Sequence, residues 1–186
     1  MSIIGSNMGL GAIGQPQVIF KRKFRWAFQV RGLGGGIILP HHWCKTANRP
    51  QLDIEETEVP FLNQTTWFPG RAKWQPLSVT VLDPSGGDLS GFYNWIASIY
   101  NFTQPGQVHQ TEKLGWSAEG ILEMYDGCGA VMERWILGSL WPQSVNFGDL
   151  DMSSSEIATI DVTFKYSDVR HEGGCGATFN GTCIGC

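Results

Sequence analysis

The residues with chemical reach in this 186-residue chain are four histidines, five cysteines and a short run of carboxylates. His41 and His42 are adjacent, while His109 and His171 stand apart. None sits in an HExxH, GxSxG or phosphate-loop pattern, the spacings that hold a metal, a nucleophile or an anion where a reaction needs it. His41-His42 reads as a strand end beside Trp43. Adjacent strand residues face opposite ways, so the pair is not spaced to chelate together. Asp53, Glu55, Glu56 and Glu58 crowd one segment and would suit a cation, but a lone acidic strand reads more naturally as a solvated or salt-bridged face. The expectation is a protein that is not an enzyme, with no cofactor and no metal.

The cysteines say more. Cys44 and Cys128 lie in the body of the sequence, and Cys175, Cys183 and Cys186 fall in the last 12 residues. Three readings stay open. With His171 the tail spells H-x3-C-x7-C-x2-C, a four-ligand zinc pattern of unusual spacing, which would also be the basis of a zinc enzyme. The thiols can equally be inert and reduced. Or they form disulfides, including bridges between subunits, since an odd number excludes complete pairing within one chain. All five are candidates for such bridges, which would form after the protein leaves a reducing compartment.

Composition narrows the class. Charged residues make up 16% of the chain, against roughly 25% for an ordinary soluble domain. A surface so poor in charge implies that part of it is covered. The eight tryptophans exclude disorder, and the glycines show no period of three. A formal charge of −4 argues against tight binding of duplex DNA, which needs a basic face. The first basic residue is Lys21, so no signal-peptide n-region opens the sequence, and no apolar run approaches a bilayer span. Synthesis in a cytosol, without membrane insertion, is the expectation.

The elements that must position these residues are mostly strands. Residues 1–17 are Gly-, Ser- and Asn-rich without charge and read as a flexible N-terminal arm. Val18 to Val30 alternates aromatic with basic residues, which puts Lys21, Lys23 and Arg25 on one strand face. Ile37 to Cys44 is a short strand. Leu52 to Pro60 alternates until Glu55-Glu56, where a bulge is expected, and Pro69-Gly70 reads as a turn. Leu77, Val79 and Val81 mark the inner face of the next strand. Leu89, Phe92, Tyr93, Ile96 and Tyr100 fall at helical spacing, predicting a helix over about 88–101 capped by Asp88 or Ser90. Residues 101–116 read as loop. An Asp126-Gly127 hairpin joins strands 119–125 and 131–140, with Trp141-Pro142 as the stop. Residues 155–169 alternate cleanly, with Ala158, Ile160, Val162, Phe164 and Tyr166 inward, and 170–186 form a Gly- and Cys-rich tail. The fold class is mainly β: an antiparallel barrel or sandwich with one packed helix.

These pieces, in this order, resemble a known family. Glu55 to Asp83 (EETEVPFLNQTTWFPGRAKWQPLSVTVLD) is similar to the central segment of tail tube proteins from contractile-tailed bacteriophages, and Phe92-Tyr93-Asn94-Trp95 to the helix that follows it. Leu140-Trp141-Pro142-Gln143-Ser144-Val145 and then Leu150 to Ser167 resemble the family's closing turn and strand. The likeness covers residues 18–169 as a tail-tube β-barrel domain. It implies six-membered rings stacked into a hollow tube inside a contractile sheath, delivering a genome. The partners it implies are further copies of the chain, the sheath, a tape-measure protein, and baseplate and tail-terminator proteins, with DNA passing through without specific binding. The place implied is the virion tail tube, assembled from protein made in the host cytoplasm. Lys21, Lys23 and Arg25 against Asp53, Glu55, Glu56 and Glu58 are complementary charges for contacts between subunits, or alternatively charges of the lumen. The alternative of another class is a β-sandwich carbohydrate-binding module that uses exposed tryptophans.

Overall fold

The computed structural model of the chain describes residues 21–62, 64–102, 113–126 and 129–173. The expected arm over 1–17, Cys128 and the cysteines of the tail lie outside them. Strands dominate: β1 (Trp26–Gly32), β2 (Ile37–Leu39), β3 (Cys44–Ala47), β4 (Leu52–Phe61), β5 (Gln64–Trp74), β6 (Leu77–Leu82), β7 (Ala118–Tyr125), β8 (Val131–Asn146), β9 (Thr159–Lys165) and β10 (Asp168–Gly173). Among the described residues two α-helices interrupt them, α1 (Ser90–Ile99) and the single turn α2 (Lys113–Trp116).

Two antiparallel sheets share β8. Its first half lies between β7 and β10, extending to β1 and β2, and its second half pairs with β9, which leads on to β6 and β3. Ser139 at φ +53° and the register shift at Pro142/Ser144 turn the strand from one sheet into the other. Trp141-Pro142 therefore does not end the strand, as its sequence suggests. A proline that cannot donate is tolerated where the ladder is already interrupted. No ladder joins β3 to β1 or β2 among the described residues, so the architecture is a sandwich and not a closed barrel. Where the seam would close, the Cys44 thiol donates to the Phe28 carbonyl at 3.3 Å.

The core follows from period-2 patterning on both sheets. Phe28, Val30, Leu122 and Leu137 from the first face Leu77, Val79, Val81, Ile160, Val162 and Phe164 from the second, all buried. Phe28 and Phe164 meet at a ring separation of 5.9 Å. Helix α1 covers this core with Phe92 and Trp95, and Trp95 lies 6.1 Å from Phe164. The Trp95 indole donates to the Trp116 carbonyl at 2.8 Å, which ties α2 down within a stretch that reads as loop. Gly91 lets α1 approach β2: a Cβ there would meet the Ile38 carbonyl oxygen at 3.3 Å.

Several local readings are corrected. The helix begins at Ser90 from the Gly86-Gly87 turn with Leu89 as its cap residue, and no side chain caps it. Residues 21–25 are a turn, closed by the Arg25 amide on the Arg22 carbonyl at 3.2 Å, and among the described residues no strand pairs with them, the β1–β7 ladder starting at Trp26 and Met124. Lys21, Lys23 and Arg25 therefore do not share a strand face. His41-Trp43 is a 3-10 turn and not a strand end. Residues 170–173, read as the start of the tail, belong to β10.

Candidate functional site

The most unusual feature of the chain is the β4–β5 hairpin. It forms a two-stranded sheet of its own, and every described side chain from Leu52 to Lys73 is exposed. The expected bulge is present between Ile54 and Glu56. Pro69-Gly70 is not the turn; it lies opposite that bulge, where a Cβ on residue 70 would sit 3.0 Å from the Glu55 carbonyl oxygen. The turn falls at Leu62, φ +52°, between the paired Phe61 and Gln64.

No described residue covers either face of this hairpin. Trp67 opposite Glu58 and Phe68 opposite Thr57 point to opposite sides, and they are 56% and 52% exposed. Ile54, Val59 and Leu62 are open as well. A lone two-stranded hairpin is marginal in water, and native surfaces seldom spend large apolar side chains on solvent without a partner. The base is the well-fastened part. The Gln75 amide donates to the Gln51 carbonyl at 2.9 Å, the Tyr166 hydroxyl to the Gln75 carbonyl at 2.7 Å, and Trp74 packs on Tyr166 with ring centres 6.3 Å apart.

The charged residues singled out from sequence divide into separate roles. Asp53 is held at the hairpin base by Gln51 at 3.2 Å and Gln75 at 2.5 Å, and Glu55 pairs across the strands with Lys73. Glu56 and Glu58 make no ion pair among the described residues. Lys21 leaves its neighbours and bonds Glu133 on β8, while Arg25 lies over the Phe24 ring at 5.4 Å. Lys23 lines a cleft of about 480 Å³ with Lys45 and Arg49 at its rim and Trp26, Leu122 and Met124 within. The structure thus separates the acidic and basic sets within one copy.

Sequence reasoning missed Glu133. Its side chain is 1% exposed and accepts from Lys21, Arg49 and the Trp135 indole, with His171 Nε2 at 4.0 Å. Burial pushes its carboxyl up, but the bonds from Lys21, Trp135 and Arg49 and the Arg49 charge outweigh this and bring it down to about 2. A polar residue amid the β8 run was the available signal, and nothing in sequence named its partners. On the neighbouring register, Glu123 accepts from Tyr125 at 2.6 Å and Arg134 at 2.7 Å, and Arg134 reaches Glu172 at 3.5 Å. These bonds lace β7, β8 and β10 together.

Cys44 is a free, half-buried thiol, and burial pushes its pKa up to about 12. His171 packs on Trp135 at 4.4 Å. Among the described residues no group of three His, Cys, Asp or Glu is placed to hold a metal, and no helix is long and apolar enough to cross a membrane. Of the eight tryptophans Trp67 alone is exposed, so no row of rings forms a platform for sugar.

No family model and no curated protein matches the sequence. Solved structures do. The chain superposes on a chain of the anti-feeding prophage tube-terminating cap with a TM-score of 0.63 at 18% identity, covering 84% of this chain and 93% of that one. It superposes on a chain of the PVC sheath/tube terminator, from an extracellular contractile injection system in the extended state, with a TM-score of 0.64 at 16% identity, covering 84% and 99%. For the PVC sheath-tube complex the values are 0.56 and 18%, covering 89% and 97%. The likeness is one of fold over nearly the whole length of each counterpart.

Proposed function

We propose that this chain is a structural, non-enzymatic subunit of a contractile-tail tube, stacking as hexameric rings into a hollow conduit for genome delivery. The single observation that carries the reading is the β4–β5 hairpin: a long arm with large apolar side chains on both faces and no partner among the described residues, on a fold found in injection-system assemblies. Covering it with a further copy of the chain removes Trp67, Phe68, Ile54 and Val59 from water, which is the driving force of most permanent association. Glu56 and Glu58, without an ion pair among the described residues, complement Lys23 and Lys45 of another copy and set the register of that contact.

The sheath and the baseplate are the outer partners in this reading, together with a terminator at the tube's end and a tape-measure protein within. DNA passes without being held, and the chain resides in the virion tail after synthesis in the host cytoplasm. Negative-stain microscopy of the purified chain over a concentration series is the test. Six-membered rings or tubes are expected; a protein that stays monomeric at high concentration overturns the reading.

A further inference from the structure

Glu133 is the one charged side chain buried among the described residues, and its partners come from distant parts of the chain. Lys21 belongs to the run-in before β1. Arg49 lies in the connection from β3, three residues before the hairpin begins at Leu52. Trp135 shares β8, and His171 on β10 stands 4.0 Å from the same carboxylate. The two full-strength cations are both on segments outside the shared sheets, so the carboxylate fastens connections to the body and not strand to strand.

The geometry of the hairpin base gives this a consequence. On the β5 side, Tyr166 holds Gln75 and packs on Trp74. On the β4 side, the Asn48 amide donates to the Ser78 carbonyl at 3.0 Å, and Arg49 to Glu133 is the side-chain fastening that lies nearest the strand. A two-stranded arm fixed through one strand can swing about that point, whereas an anchor on each strand removes the freedom. Charge-assisted bonds are directional as well as strong, and at a buried acceptor salt screens them less than it screens an exposed pair. Buried ion clusters are best attested in this kind of role, specifying one arrangement among several.

We propose that Glu133 is the positioning residue of the inter-copy contact: through Arg49 it sets the direction of the β4–β5 hairpin, and through Lys21 it couples that direction to the N-terminal run-in. This rests on the hairpin being the surface offered to the next copy. Its first readout, amide exchange in the unassembled protomer, does not depend on assembly.

The experiment compares the full chain with E133Q and R49M. Q at 133 keeps the shape but loses the charge, and R49M removes the hairpin link while leaving Lys21 and Trp135 on the carboxylate. Hydrogen exchange at low concentration is expected to quicken about tenfold across Leu52–Trp74 in both variants, and across residues 21–25 in E133Q, with β6 and β9 unchanged. The concentration needed for tubes is expected to rise by about tenfold or more. R49K, which retains a cation at the same place, is expected to recover most of both effects. Unchanged hairpin exchange with assembly at the wild-type concentration overturns the proposal. Exchange that quickens equally in β6 and β9 also overturns it, because a general loss of stability would then suffice. If E133Q fails to fold, R49M decides alone. A wild-type chain that never forms rings would instead refute the tube reading and leave the exchange result standing.

Discussion

Replacing Trp67 by Ser tests the proposed assembly surface at an exposed tryptophan. Trp67 is 56% exposed, and a Trp side chain offers up to roughly 250 Å², so about 140 Å² is open to a neighbour. If a second copy covers half of that, the contact gains about 1.8 kcal/mol at roughly 25 cal/mol per Å². That corresponds to about a twentyfold rise in the concentration required for association when the ring is removed. The protomer itself should hardly notice. The cross-strand pair with Glu58 is worth about 0.2–1 kcal/mol, and the hairpin lies outside the core that melts cooperatively. Sedimentation velocity over a dilution series gives the assembly threshold, and thermal unfolding of the dilute protomer gives the control. Unchanged melting with a threshold displaced by about an order of magnitude is the expected outcome. A W67S protein that assembles at the wild-type concentration would refute the claim that this face is covered.

Three further outcomes follow from the same structure. Neutralising Glu56 and Glu58 together to Gln is expected to weaken assembly at low salt and to matter less as salt rises, read by light scattering at two ionic strengths; tubes indifferent to the change would remove these residues from the interface. Glu133 is held at about 2 against an ordinary 4.5, so its stabilisation is fully present above pH 4.5 and is lost as pH falls towards 2. The difference in Leu52–Trp74 amide exchange between wild type and E133Q, each rate taken relative to its intrinsic pH dependence, should therefore shrink as pH falls from 4.5 towards 2, and a difference constant with pH would contradict the assignment. Cys44, half-buried with its thiol on the Phe28 carbonyl, is expected to resist a thiol reagent at neutral pH in the native protomer and to react on unfolding. Any bridge between copies then falls to Cys128, Cys175, Cys183 or Cys186, and non-reducing electrophoresis of C44S tubes would show bands unaltered from wild type.

Much of the strand content was legible because burial imposes a period of two that survives in the letters. Leu77, Val79 and Val81, and Ile160, Val162 and Phe164, read inward and are inward. The bulge at Glu55 announced itself as a slipped alternation. Pro69-Gly70 misled because the same residue types serve a turn or the partner of a bulge, and only the opposing Glu55 carbonyl distinguishes the two. Trp141-Pro142 misled likewise, since a strand that changes sheets tolerates a proline at the crossing. The basic run at residues 21–25 has the alternation of a strand and no strand beside it among the described residues.

By itself, the sequence determined which residues seek the interior, that the chain is β-rich with one principal helix, and that it is poor in charge. These are properties of side chains and their local spacing. Tertiary structure alone decided that β8 belongs to two sheets, that the acidic strand stands on a hairpin whose described side chains are exposed, and that Glu133 gathers Lys21 and Arg49 from segments far from it in sequence. Such pairings depend on where distant segments come to lie, and a carboxylate carries no mark in the sequence of the cation it will meet.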